Sequence, residues 1–265
     1  MQGDEIIAIS KLIAEIGKKD FGLHVDNLAK KSVSFDMSCI FLFGMDRTTA
    51  IVHDGYSESV SRKALASYLR GGYLLDPFYV ACTHDHPPGL WRMSELAPDS
   101  FFSSGFIVSK DIHPCVSSEE KALVEEIGFI IPLGEGLSAV YSLMRHTGKK
   151  PFSHVELSRL KFLEPIVSES ISKHCEMSIP SKKNDPKEAG KKGEAQFIDI
   201  FQDRLTPTQR DIAKLILRGH SITSISLNMN ITEGTAKLHK SNIYKRLSIT
   251  TQSELFRMFI DYLEE

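Results

Sequence analysis

The stretch LTPTQRDIAKLILRGHSITSISLNMNITEGTAKLHKSNIYKRLSI, residues 205–249, decides the architecture. Thr206 stands where a helix N-cap belongs, Pro207 at the first helical position and Gln209 three residues after the cap. The threonine oxygen can take an orphan amide, proline's missing N–H is not needed there, and glutamine reaches back to the cap. Ile212, Leu215 and Ile216 then form an apolar stripe, and Gly219 ends the helix. A second helix is expected over about 221–229 with Ile222, Ile225 and Met229 inward, and the turn Asn230-Ile231 leads to Thr232, the cap of a third helix. The inner side of that third helix is Ala236, Ile243 and Leu247. This spacing is that of a helix-turn-helix.

On the third helix Thr235, Lys237, Leu238, Lys240, Ser241 and Lys245 fall largely opposite the core stripe, where a helix laid in the major groove of double-stranded DNA offers them to bases and phosphates. A lysine-bearing face on an isolated helix is merely solvated surface; three helices at this spacing make it a nucleic-acid interface. The formal charge of the whole chain is −2, which exerts no global pull towards nucleic acid. Residues 204–265, however, carry nine Lys and Arg against six Asp and Glu, so the basic excess is confined to this end.

Upstream, residues 180–196 (PSKKNDPKEAGKKGEAQ) contain no large apolar side chain and cannot bury enough surface to offset the entropy of ordering. The chain of 265 residues, 42% apolar, therefore divides into an N-terminal domain over 1–178, a flexible lysine-rich linker over 179–198 and a DNA-binding domain over 199–265. In the first of these, Ile6, Ile9, Ile13 and Ile16 recur at helical spacing before Gly17, and a second helix is expected near 21–33. Residues 38–43 and 49–53 flank Gly44-Met45-Asp46-Arg47, and residues 126–133 and 137–144 flank Gly134-Glu135-Gly136. Both pairs read as hairpins. Ser153 with Glu156 forms a capping box opening a helix over about 153–177, with Leu157, Leu160, Leu163, Ile166 and Val167 on its stripe and Pro165 inside it. Helix, hairpin, irregular middle, hairpin and helix predict an α+β sensor, a central antiparallel sheet flanked by helices (αβα), joined to an all-α four-helix domain.

Cys39, Cys82, Cys115 and Cys175 are scattered without a C-x-x-C pair, so neither a disulfide framework nor a zinc knuckle is expected. No basic n-region follows Met1, and the longest apolar runs, such as residues 39–43, are too short to span a bilayer. A cytoplasmic protein without membrane contact is expected. His84-Asp85-His86 offers metal-ligand chemistry but no supporting third and fourth ligand, and no metal or cofactor is expected.

The motif L-T-x-x-Q-R-x-I…G-H-S…I…I-T-E-G-T-A-K-L-H-K-S-N-I-Y-K-R-L resembles the C-terminal domain of the LuxR/GerE family of bacterial transcription regulators. The resemblance implies that the third helix enters the groove and that a fourth helix, roughly 251–262, pairs with its counterpart in a homodimer. Lys237, His239 and Asn242 match well-kept motif positions, and with Thr232 they complete the DNA-binding set. Gln209 stands where an acid is usual, Ile222-Thr223-Ser224 replace a more polar run, and Ala236 replaces valine; the scaffold helix therefore has fewer groups for phosphate. In the N-terminal half the layout resembles GAF/PAS-type sensors and Asp76-Pro77-Phe78-Tyr79 with residues 97–102 resembles LuxR-type solo regulators, while Tyr68, Tyr73, Asp76-Pro77, Trp91 and Gly128 are similar to the acyl-homoserine-lactone-binding domains often joined to this module, as in quorum-sensing-like regulators. There the tyrosine, aspartate, tryptophan and glycine line or shape a ligand pocket. Four residues before Tyr68, where that family commonly has a tryptophan donating to the lactone carbonyl, this chain has Ala64, so a small-molecule effector other than a lactone is expected. Aromatic faces would supply most of the contact and the buried carboxylate would take a donor.

Structural alternatives remain beside these: Trp91 as core, and Asp76 before Pro77 as the cap of a helix or turn. Two functional alternatives also remain, a ligand-free dimerisation or docking module and a sensor enzyme. For the latter the sequence offers no G-x-S-x-G, glycine-rich phosphate loop or H-E-x-x-H. RNA polymerase is a further partner such a regulator could meet.

Overall fold

The computed structural model describes residues 3–44, 49–56, 58, 60–104, 123–146, 148–178 and 201–264. The expected linker, Met45-Asp46-Arg47 of the first hairpin turn and Cys115 lie outside these residues. The described residues belong to two compact units, one drawn from Met1–Ser59, Ala81–Glu95 and Glu120–Gly190, the other from Val60–Val80, Leu96–Glu119 and Lys191–Glu265.

The first unit is built on a five-stranded antiparallel sheet of order β2-β1-β5-β4-β3, with β1 (Met37–Gly44), β2 (Ala50–Gly55), β3 (Gly89–Arg92), β4 (Leu123–Gly134) and β5 (Leu137–His146). Both expected hairpins are present. The second turns through Gly134, Glu135 and Gly136, all at positive φ, which glycine at two of the three positions makes inexpensive. β1 is buried along its whole length, and the sequence MSCIFLFG is correspondingly almost without charge or turn residues.

One face of the sheet carries Ile40, Leu42, Leu90, Ile127, Phe129, Ile131, Ala139, Tyr141 and Leu143, packed with apolar residues of α1 (Gly3–Ala14), α2 (Phe21–Ala29) and α6 (His154–Ser178). The α6 capping box forms as expected: Ser153 Oγ accepts from the Glu156 amide at 3.3 Å, and Glu156 Oε2 accepts from the Ser153 amide at 2.8 Å. Glu156 also receives the buried Arg145 guanidinium at 2.6 Å. These donors, the arginine first, hold its carboxyl down to about 2. Arg145 further donates to the carbonyls of Ser34, Lys150 and Pro151 and lies 3.9 Å from the Phe152 ring centroid, locking the entry of α6 to the end of β5.

The middle of the chain, read from sequence as irregular, contains α3 (Arg62–Arg70), a 3₁₀ turn (Gly72–Leu75), α4 (Pro77–Thr83), the edge strand β3 and α5 (Met93–Leu96). Only α3 reaches nine residues, so periodicity had little to work on.

In the second unit α7 (Pro207–Leu217), α8 (Ile222–Met229), α9 (Glu233–Leu247) and α10 (Gln252–Glu264) follow the expected boundaries. Thr206 and Gln209 make the full capping box, Ser221 caps α8 and Thr232 caps α9. Gly219 takes φ +87° just past the α7 C-cap, and a Cβ there would overlap the backbone of Phe101 in the same unit. Gln209, in place of an acid, serves two partners: its Oε1 accepts from the Thr206 amide at 3.2 Å and from Arg246 at 3.0 Å. Ile212, Ala213, Ile216, Ile225, Ala236, Ile243, Leu247, Leu255 and Phe259 are buried.

Candidate nucleic-acid interface and effector site

Helix α9 is fixed by the core contacts of Ala236, Ile243 and Leu247, which lie on one side of it. The opposite side is exposed in a ridge of Glu233, Gly234, Lys237, Leu238, Ser241, Asn242 and Lys245, the i, i+4 recurrence of a single helix face. Of the nine residues expected to meet DNA, five (Lys237, Leu238, Ser241, Asn242 and Lys245) therefore stand fully on the ridge. Thr232 is exposed but its Oγ1 accepts from the Thr235 amide at 3.1 Å, and Thr235, His239 and Lys240 are half-buried on the flank. Lys240 lays its Nζ 5.5 Å from the Tyr244 ring centroid, so its ammonium leans along the helix from an apolar support. Glu233 accepts from Thr223 Oγ1 of α8 at 2.6 Å and lies 3.8 Å from Lys237, joining the two helices of the motif at the exposed surface.

The six residues expected to form an effector pocket fall into two groups. Tyr68, Tyr73, Asp76 and Tyr79 are buried together in the second unit. Tyr73 packs edge-on to Tyr79 at 5.0 Å and to Tyr68 at 6.5 Å between centroids. Tyr68 donates to Asp76 Oδ2 at 2.7 Å, and Asp76 Oδ1 accepts from the Phe78 amide at 2.8 Å. Asp76 thus caps α4 ahead of Pro77 while sitting 5% exposed; burial pushes its carboxyl up to about 6 despite the Tyr68, Phe78 and Tyr79 donors that oppose the shift. The chain itself supplies these donors. Ala64 is fully buried on the same helix as Tyr68.

Trp91 and Gly128 lie in the first unit as a cross-strand pair of β3 and β4. The register continues the row through Ser142, Cys39 and Asp54. This line of small and polar side chains runs across the sheet face opposite the α1, α2 and α6 core, between Phe41, Val140 and Ile130 on one side and Met37, Met144 and Glu126 on the other. Trp91 is half-buried rather than core, donates to the Pro87 carbonyl at 2.9 Å and meets the His86 ring at 4.4 Å between centroids. Among the described residues no group of three or more His, Cys, Asp or Glu could hold a metal ion.

The segment that carries the tyrosine–aspartate group is hydrogen-bonded to the helix-turn-helix within the second unit. Arg218 at the C-cap of α7 donates to the Leu74 carbonyl at 3.1 Å, the Ser221 amide donates to Asp99 Oδ1 at 2.9 Å, and the Ser100 amide donates to the Gly219 carbonyl at 3.0 Å. The Ser221 side-chain and amide donors lower the Asp99 carboxyl.

A further group was not foreseen from sequence. Asp26 of α2 accepts from Ser38 Oγ at 2.7 Å and from Tyr141 OH at 2.8 Å, and its Oδ2 lies 3.0 Å from His53 Nε2. All four residues are buried; a Cβ at Gly22 would overlap the His53 ring and one at Gly55 the Ser38 hydroxyl. Burial, then the Asp26 charge, raises the Tyr141 hydroxyl well above its ordinary value. Serine and carboxylate share the same imidazole nitrogen, Ser38 Oγ at 3.4 Å from it, whereas a nucleophilic relay needs them on opposite nitrogens. The group pins α2 to the sheet through satisfied buried polar contacts. One signal was available: Asp26 is the lone acid among the inward positions of α2.

Among the described residues no helix is long and apolar enough to cross a membrane. Residues 203–259 match the family model of bacterial regulatory proteins, luxR family (GerE). A protein of Aeromonas salmonicida described as an HTH-type transcriptional regulator in the exeN 3′ region is 27% identical over 193 residues, covering 71% of this chain and 94% of its own length. The transcriptional regulatory protein MctR of Rhizobium johnstonii is 43% identical over 65 residues, which are 24% of this chain and 30% of MctR. The ligand-binding domain (LBD) of VqsR from Pseudomonas aeruginosa shares the fold at a TM-score of 0.57 and 18% identity, covering 66% of this chain and 98% of that domain. The matched segment coincides with the helices from α7 into α10, and the C-terminal domain of this chain therefore belongs to the luxR family of bacterial regulatory proteins.

Proposed function

We propose that the protein is a cytoplasmic, effector-responsive transcription regulator that binds promoter DNA as a homodimer, with a sensor over 1–178, a tether over 179–198 and a DNA-binding domain over 199–265. The observation that carries the reading is the α9 ridge: Lys237, Ser241, Asn242 and Lys245 project from a helix whose opposite side is core, in a segment that matches the luxR family. Lysines contact phosphate and set register, and the short polar groups reach base edges. Two copies would place their α9 helices in half-sites about one helical turn apart, where the bound regulator could meet RNA polymerase.

The sensor role is supported by the fold shared with the VqsR domain and by the Trp91–Gly128–Ser142–Cys39 row, which offers an aromatic wall beside small polar side chains. The effector is a small molecule other than an acyl-homoserine lactone, since Ala64 brings no donor. Arg218 and Ser221 donate to the Leu74 carbonyl and to Asp99, so a rearrangement of the Tyr68–Asp99 region would reach the helix-turn-helix through these bonds. A ligand-free docking module is the second reading, favoured by the internal donors that already serve Asp76. Selection from random duplex by the full-length protein tests the proposal: enrichment of a two-fold symmetric motif is expected, and no enrichment with or without metabolite extracts would refute it.

A further inference from the structure

The α9 ridge is polar except for Leu238, which is 61% exposed. A solitary exposed leucine has no meaning by itself; its surroundings give it one. Helical side chains lean towards the N-terminus, over the residue four positions earlier. For Leu238 that residue is Gly234, which has no side chain, and an added Cβ there would meet only Thr232 Oγ1 at 3.7 Å. Leu238 is thus uncovered on its N-terminal side, next in sequence to the exposed Lys237 and followed one turn later by the exposed Ser241 and Asn242. Lys237 and Lys245 supply the positive charge that would draw a phosphate backbone to this face, and an apolar tip between them would meet the base edges.

In the major groove the one apolar group a base pair displays is the 5-methyl of thymine. We propose that Leu238 is a specificity-determining residue that packs on a thymine methyl in each half-site. This rests on the DNA-binding reading above and adds to it a named base and the group that recognises it. The chemistry is a dry contact of one methyl with the leucine branch, so its size is that of one buried methyl group, about three- to fivefold in affinity. It carries no charge and leaves the salt dependence untouched.

The experiment uses the full-length protein and the duplex it enriches from a random pool. Each half-site thymine is replaced in turn by deoxyuridine, which keeps the pairing and removes only the methyl. Wild-type protein is expected to lose about three- to fivefold in affinity at one thymine position per half-site. Leu238→Ala is expected to bind the thymine duplex more weakly by a similar factor, to be indifferent to deoxyuridine at that position, and to keep the wild-type salt slope; because Leu238 lies outside the core, this variant folds. Wild-type indifference at every thymine, a half-site without thymine, or an unchanged methyl dependence in Leu238→Ala would overturn the assignment while leaving DNA binding itself standing. If no duplex is enriched, the DNA-binding reading fails and the assignment fails with it.

Discussion

Replacing Asp76 by asparagine separates the charge of this carboxylate from its hydrogen bonds. The carboxyl titrates at about 6 in the folded protein against an ordinary 3.8, a rise of roughly two units at about 1.4 kcal/mol each, so on the order of 3 kcal/mol. The folded state holds the proton more tightly than the unfolded chain. Stability from this group is therefore fully present below pH 3.8 and is lost as pH rises through 6. Asparagine keeps an acceptor for the Phe78 amide and a partner for Tyr68 without ionising. Urea unfolding of wild type and Asp76→Asn between pH 4 and 8 reads the difference directly, other titrations cancelling. The variant is expected to match the wild type near pH 4 and to gain up to about 3 kcal/mol relative to it by pH 8. A pH-independent difference would refute the assignment of a buried, desolvated carboxylate to Asp76.

Asp76→Ala leaves the Tyr68 hydroxyl and the Phe78 amide without their acceptor and is expected to cost about 2–4 kcal/mol near pH 4; a denaturant midpoint equal to that of the wild type there would contradict the capping role. Asp26→Ala strands two buried hydroxyls and the His53 ring, about 1–3 kcal/mol for each group, whereas Tyr141→Phe removes one donor and costs about 1 kcal/mol. Denaturant midpoints that show Asp26→Ala within 0.5 kcal/mol of wild type, on the scale of an ordinary surface change, would contradict the pin. The single tryptophan, Trp91, gives an optical test of the sensor row: a saturable emission change with a raised melting temperature across a metabolite panel supports an effector site there, and silence across amines, amides and lactones favours the docking reading.

The DNA-binding half was legible because its signals are local. Thr206, Pro207, Gln209 and Gly219 punctuate α7 within fourteen residues, and Thr232 with the Ala236, Ile243 and Leu247 stripe defines α9. The two hairpins of the N-terminal half were legible for a similar reason, since in each the paired strands are neighbours in sequence. β3 was not: it has four residues, and its partner β4 begins more than thirty residues later, so neither alternation nor a turn announced it. Asp26, Ser38, His53 and Tyr141 come from α2, β1, β2 and β5, and only the strand register brings them to one point. Tyr68 and Asp76 could be named from the resemblance, but that Asp76 caps α4 and takes its donors from its own chain required coordinates.

The most direct test of the central claim is the salt dependence of binding to an enriched duplex by the full-length protein and its Lys237→Ala variant. Log affinity is expected to fall linearly with log salt for both, with Lys237→Ala binding more weakly and its slope shallower by about one phosphate contact. An identical slope and affinity for the variant, or wild-type binding insensitive to salt and no tighter than to random duplex, would contradict the account.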